Sequence, residues 1–117
     1  MFRGRVSYPM HAALELITAV TLIAVPFAIG MSFDAAVTAA VIGIVLFGLA
    51  LSATGDGRGT LPVSAHAAYD AAVAFVLVGS AVVFGLSGEL MALAFLLAAG
   101  VAQLTLNALT RYAPTHA

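Results

Sequence analysis

Ala35 to Ala53 read AAVTAAVIGIVLFGLALSA, a run without a single Asp, Glu, Lys or Arg, and this stretch decides the fold class. A helix rises about 1.5 Å per residue, so about 20 such residues cross the ~30 Å of hydrocarbon in a bilayer. A membrane strand needs only ~9–11 residues and alternates in polarity, which this run does not. Working outward, three more stretches have the same character, roughly 10–31, 64–86 and 90–110. Ser32-Phe33-Asp34 and Ser87-Gly88-Glu89 separate neighbouring stretches as tight turns, and the glycine-rich Thr54 to Thr60 is the one longer linker. The expectation is an all-α membrane protein, a four-transmembrane-helix bundle in one domain covering residues 1–117.

Composition agrees. Of 117 residues, 63% are hydrophobic and 8% charged, with a mean hydropathy of +1.15. Soluble domains run at about 45–50% apolar and about 25% charged. The lipid bilayer is therefore the expected solvent and first partner. A net charge of −1 with four basic residues, none of them lysine, argues against a nucleic-acid partner, which needs a Lys/Arg patch against phosphates. The absence of cysteine excludes disulfides, thiolate catalysis and thiolate metal sites. Met1 to Arg5 could open a signal peptide, but the apolar run from about Ala12 to Met31 exceeds an h-region of ~7–15 residues and reads as an uncleaved first span.

The arginines set an expected orientation. Arg3 and Arg5 precede span one, Arg58 lies between spans two and three, and Arg111 follows span four. An even number of crossings separates these places, so all four fall on one side, which the positive-inside rule makes cytoplasmic. The expected localisation is the cell membrane, multi-pass, with both termini and the 54–60 loop in the cytoplasm. Tyr8, Tyr69 and Tyr112 fall near the same interface.

The two halves resemble copies. A shift of 55 residues sets Arg3-Gly4 on Arg58-Gly59, His11 to Glu15 on His66 to Asp70, and Gly30 to Asp34 on Gly85 to Glu89. Repeat one is expected over 3–54 and repeat two over 58–111, two tandem hairpins related by an axis along the membrane normal. In the turns, Ser32 and Ser87 are expected to N-cap spans two and four, with Asp34 and Glu89 in the following first turns. Pro26 removes a backbone bond to Leu22, so a helix kink is expected there. Small residues four apart, Ala39 and Gly43 in span two and Ala94, Ala98 and Ala102 in span four, are expected at close helix contacts. Thr18 and Thr21 are expected to return their hydroxyls to the backbone.

The chemistry-bearing residues cluster. His11 and Glu15 share a face of span one, and His66 and Asp70 share one of span three. Span four returns Gln103 and Asn107 to a similar depth, and Ser52 ends span two beside them. These seven residues form one polar layer in an otherwise apolar bundle. Three readings follow. Each His–acid pair can be a local anchor that fixes helix depth. Glu15 and Asp70 can carry a proton or cation, with the histidines tuning them. Or His11 and His66, with Glu15 and Asp70, can hold a divalent metal, or the two histidines a haem. The spacing is neither the Glu-x-x-His of di-iron bundles nor the His-Glu-x-x-His of metalloproteases. His116 reads as a solvated tail residue. No catalytic motif is visible, so a structural or accessory membrane protein, without enzymatic activity or cofactor, is the leading expectation. It would assemble with itself or as a subunit of a membrane complex. A cation-coupled transporter or channel subunit and a metal- or haem-binding protein are the alternatives.

Two resemblances bear on this. In the first half, His11 and Glu15 are followed by Val25-Pro26-Phe27-Ala28-Ile29-Gly30-Met31-Ser32; the second half has Ser80-Ala81-Val82-Val83-Phe84-Gly85-Leu86-Ser87. This pattern resembles the SPW-repeat family of small bacterial membrane proteins, where a His and an acid open a span that ends in a Ser-Pro-Trp stretch. Neither half carries that triplet whole. The resemblance implies tandem two-span repeats and no particular activity. In length and span count, with Glu15 early in span one, the chain is also similar to small multidrug-resistance transporters.

Overall fold

The computed structural model describes residues 5–53 and 61–112. Arg3, Arg58, His116 and the expected 54–60 loop lie outside them. Four helices follow in order: α1 (Tyr8–Ala28), α2 (Phe33–Ser52), α3 (Val63–Leu86) and α4 (Leu90–Leu109). Each is long and apolar enough to cross a membrane. α1 packs mainly on α2 and α3 mainly on α4; the α2–α3 contact joins the two hairpins, and the α1–α4 contact is slighter.

Local sequence explains where the helices begin and end. Ser7 caps α1, its hydroxyl accepting from the Met10 amide at 3.3 Å, and Pro9 sits in the first turn, where a missing N–H costs nothing. α1 therefore starts and stops two to three residues earlier than the hydrophobic run suggests, and it continues through Pro26 to Ala28. The α1–α2 and α3–α4 turns each use glycine in the left-handed region, Gly30 at φ +76° and Gly88 at φ +85°. In each, the next amide reaches back to the third-last residue of the helix: Met31 N–H to Pro26 O at 3.1 Å, and Glu89 N–H to Phe84 O at 3.0 Å. This is the Schellman arrangement, and a side chain with a Cβ would be strained at either glycine.

The second turn departs from the expectation. Ser32 does cap α2, accepting from the Ala35 amide at 3.2 Å, and Asp34 sits in the first turn. Ser87, however, ends α3, and its hydroxyl donates to Val83 O at 3.1 Å; Glu89 takes the N-cap position of α4 and makes no side-chain cap bond. The reason is length. α3 has 24 residues to the 21 of α1, so its turn glycine falls 58 residues after Gly30, and the residue beyond that glycine already opens the next helix.

The interior is apolar over most of its length. Leu22, Leu46, Leu77 and Leu96 are fully enclosed, among Ala19, Ala35, Ala39, Ala74 and Ala81. Close approach is set by glycine: a Cβ on Gly43 would lie 2.9 Å from Ala19 O and Leu22 Cβ, and one on Gly100 would lie 2.7 Å from Val78 Cγ2. Ala39 and Gly43 are thus at a helix contact as expected. Ala94, Ala98 and Ala102 are not: they are exposed, and α4 buries Ala92, Leu96, Gly100 and Gln103 instead. The polar Gln103 decides which face turns inward, which a small-residue count does not register. Ala98 and Ala102 line an apolar groove of about 280 Å³ between α1 and α4, with Thr18, Thr21 and Phe95. Thr18 and Thr21 return their hydroxyls to Leu14 O and Ile17 O, as expected.

Large apolar side chains also point outward on every helix, among them Ile17, Phe33, Ile44, Phe75 and Leu90. Such a surface is matched by lipid rather than water, and the four helices together suggest a multi-pass membrane protein. The start of α1 is tied to the end of α4: Val6 N–H donates to Leu109 O at 3.0 Å, and Arg111 N–H to Val6 O at 2.9 Å.

Candidate functional site

At the end of the bundle where the chain enters α1 and leaves α4, the packing changes character. His11, Glu15, His66 and Asp70 are fully buried, and Gln103 nearly so. Helical spacing puts each acid one turn below its histidine, and side-chain length does the rest.

Glu15 reaches across. Its Oε2 lies 3.0 Å from His11 Nε2 on its own helix, and its Oε1 lies 3.0 Å from His66 Nε2 on α3. Asp70 is shorter and serves both imidazoles with one oxygen: Oδ2 is 2.8 Å from His11 Nε2 and 3.2 Å from His66 Nε2. The four side chains form a closed ring, with one donor atom from each inside a span of 4.8 Å.

The outer nitrogen of each ring faces a hydroxyl. Thr110 Oγ1 donates to Leu106 O at 2.6 Å, so it accepts from His11 Nδ1–H at 2.7 Å. Ser52 Oγ donates to Leu49 O at 2.7 Å and offers a long contact, 3.5 Å, to His66 Nδ1. A neutral imidazole with its proton on Nδ1 presents a bare lone pair at Nε2. Both Nε2 atoms face carboxylate oxygens. Electron-rich atoms this close repel unless positive charge, as protons or as a metal ion, sits among them.

Further polar groups close the layer. Gln103 Nε2 donates to Glu15 Oε2 at 3.0 Å and reaches Asn107 Oδ1 at 3.2 Å. The Tyr112 hydroxyl lies 2.8 Å from Asp70 Oδ2 and 3.0 Å from Asn107 Oδ1. Burial and the Asp70 charge hold the Tyr112 phenol above its ordinary pKa. The Tyr112 ring packs edge-on to His11 at 5.2 Å, and the Tyr8 ring edge-on to His66 at 5.4 Å. Four buried polar atoms make no hydrogen bond within the described protein: Asp70 Oδ1, Gln103 Oε1, Asn107 Nδ2 and Tyr8 OH.

All seven residues of the expected polar layer thus meet. The His–acid pairs are not separate anchors, because each acid touches both histidines. A haem does not fit: the carboxylate oxygens occupy the space beside both Nε2 atoms, where a porphyrin would have to lie. Sequence reasoning missed Thr110, Tyr112 and Tyr8 as members. Thr110 was findable, since Gln103, Asn107 and Thr110 follow the i, i+4, i+7 pattern of one helix face. Tyr112 was not, because its position depends on α4 ending at Leu109 and on the pairing of Arg111 with Val6. No family model, curated protein or solved structure matches the chain.

Proposed function

We propose that this chain is a small multi-pass membrane protein that binds a cation inside its bundle, at the ring formed by His11, Glu15, His66 and Asp70. One observation carries the reading: two buried carboxylates each contact both imidazole Nε2 atoms, while a hydroxyl lies beside each Nδ1. Two fully buried negative charges at membrane depth need compensating positive charge. The ring is arranged to receive it.

The arginine distribution supports a cytoplasmic location for both termini and for this end of the bundle. The 55-residue shift and the SPW-like stretches support an origin by hairpin duplication, with one His–acid pair from each copy. On that reading the centre exists only where the two copies meet. An ion held there can be retained, or passed on across the membrane as a carrier or channel subunit would do.

The test is thermal unfolding of the detergent-purified chain against a panel of chloride salts of Na⁺, K⁺, Mg²⁺, Ca²⁺, Mn²⁺ and Zn²⁺. A bound cation at a hundredfold excess over its Kd stabilises the fold by about 2.7 kcal/mol. At least one salt should raise the melting temperature of the wild type and leave the Glu15→Gln/Asp70→Asn double variant unmoved. If no salt separates the two proteins, the ring is a structural clasp and the cation reading is withdrawn.

A further inference from the structure

We propose that the centre takes one divalent ion of the zinc class, bound tetrahedrally by His11 Nε2, His66 Nε2 and one oxygen each from Glu15 and Asp70. This rests on the cation-binding reading above and names its ligand.

Distances support it first. A tetrahedral ion with bonds of about 2.0–2.1 Å separates its ligand atoms by about 3.3 Å. Asp70 Oδ2 lies 2.8 and 3.2 Å from the two Nε2 atoms, and Glu15 lies 3.0 Å from His11 Nε2 through Oε2 and 3.0 Å from His66 Nε2 through Oε1, so one of its two oxygens must turn to the ion. All four donors lie within 4.8 Å of one another. Shifts of about an ångström or less along each side chain would complete the tetrahedron.

Donor chemistry narrows the ion. Two imidazoles and two carboxylates, without thiolate, suit a borderline divalent metal. Ca²⁺ takes six to eight oxygens and Mg²⁺ strongly prefers oxygen donors, which a ring with two nitrogens does not match. The charge also balances, since one divalent ion neutralises Glu15 and Asp70 together.

The surroundings match what a ligating histidine requires. Its other nitrogen is held by a hydrogen bond that fixes tautomer and ring orientation. Thr110 does this for His11, and Ser52 makes the longer contact to His66. Independently of the ring, Asp70 keeps one fully buried oxygen, Oδ1, without any hydrogen bond in the described protein. Asp70 ligates through Oδ2, the oxygen that faces both Nε2 atoms, and the Tyr112 hydroxyl donates to that same oxygen as an outer-shell bond. Four protein ligands leave no open position, so the ion would be held or handed on rather than used to activate water.

The experiment adds Co²⁺ to the full chain in detergent and records the visible spectrum. Four-coordinate cobalt absorbs strongly and six-coordinate cobalt weakly. The expected result is an intense four-coordinate band that saturates at one cobalt per chain and is abolished by one equivalent of Zn²⁺. His116→Ala should leave it unchanged. His11→Asn or His66→Asn should remove it. Ser52→Ala and Thr110→Val keep all four ligands and should weaken binding by about 10–100-fold.

A weak six-coordinate spectrum, or a strong one untouched by His11→Asn and His66→Asn, overturns the assignment. So does the absence of any band from wild-type protein that runs as a single helical species. If the salt panel meanwhile shows Glu15/Asp70-dependent stabilisation by another cation, the cation reading stands and only the zinc-class assignment falls. If both fail, the ring is structural.

Discussion

The two ends of this bundle are held together by different physics. Away from the chain termini, Leu22, Leu46, Leu77 and Leu96 interlock among alanines, and nothing there demands a particular partner beyond shape. Toward the chain termini, Glu15 and Asp70 are each bonded across helices, and Gln103, Thr110 and Tyr112 bring α4 into the same network. Packing in lipid has no hydrophobic drive between helices and so specifies partners weakly. Buried charge specifies them strongly, because a group without its partner is costly. The apolar end supplies closeness; the polar end decides which helix sits beside which.

Substitutions can break that contrast, beginning with the largest effect. Glu15→Ala strips both histidines and Gln103 of a shared acceptor, and should cost about 3–5 kcal/mol in reversible unfolding from detergent. A loss below that of an average alanine substitution would mean the ring specifies nothing. Tyr112→Phe removes one hydrogen bond to a charged acceptor and should cost about 1.5–3 kcal/mol. It also has an alkaline signature. The phenol's pKa is raised by folding, so its contribution is complete below its ordinary value of 10.0 and is lost as pH climbs beyond it. Wild type should lose more stability than Tyr112→Phe over that alkaline range.

At the apolar end, Gly43→Val forces a side chain against the Ala19 carbonyl and Leu22, and about 1–3 kcal/mol should be lost. The cobalt stoichiometry should survive that change if the two ends are independent. The smallest effects separate the two turns. Ser32→Ala removes a working cap and should cost about 1 kcal/mol. Ser87→Ala, at a serine that caps no helix start, should stay within about 0.5 kcal/mol. Equal losses would restore the symmetrical turns that the sequence alone implies.

That last pair shows where sequence reading reaches its limit. The four spans and the shared level of His11, Glu15, His66, Asp70, Ser52, Gln103 and Asn107 follow from helix rise and alternation of direction, which depend only on counting residues. What counting does not supply is rotation and reach. The face of α4 turned on Gln103 rather than on Ala94, Ala98 and Ala102. Whether Glu15 bonded its own His11, the distant His66 or both was a matter of side-chain conformation. Ser87 misled because three extra residues in α3 move the glycine turn past it, and a one-letter match cannot register which of two adjacent roles a serine fills.

The short pairing of Val6 with Leu109 and Arg111 has a topological consequence. It brings the start of α1 and the end of α4 side by side, so the four helices run in a nearly closed circuit. Such a molecule has no privileged starting hairpin. Joined across that seam and reopened between α2 and α3, the same chain would run α3, α4, α1, α2 with every helix contact and the whole ring preserved, and the order of synthesis would become a variable independent of the architecture.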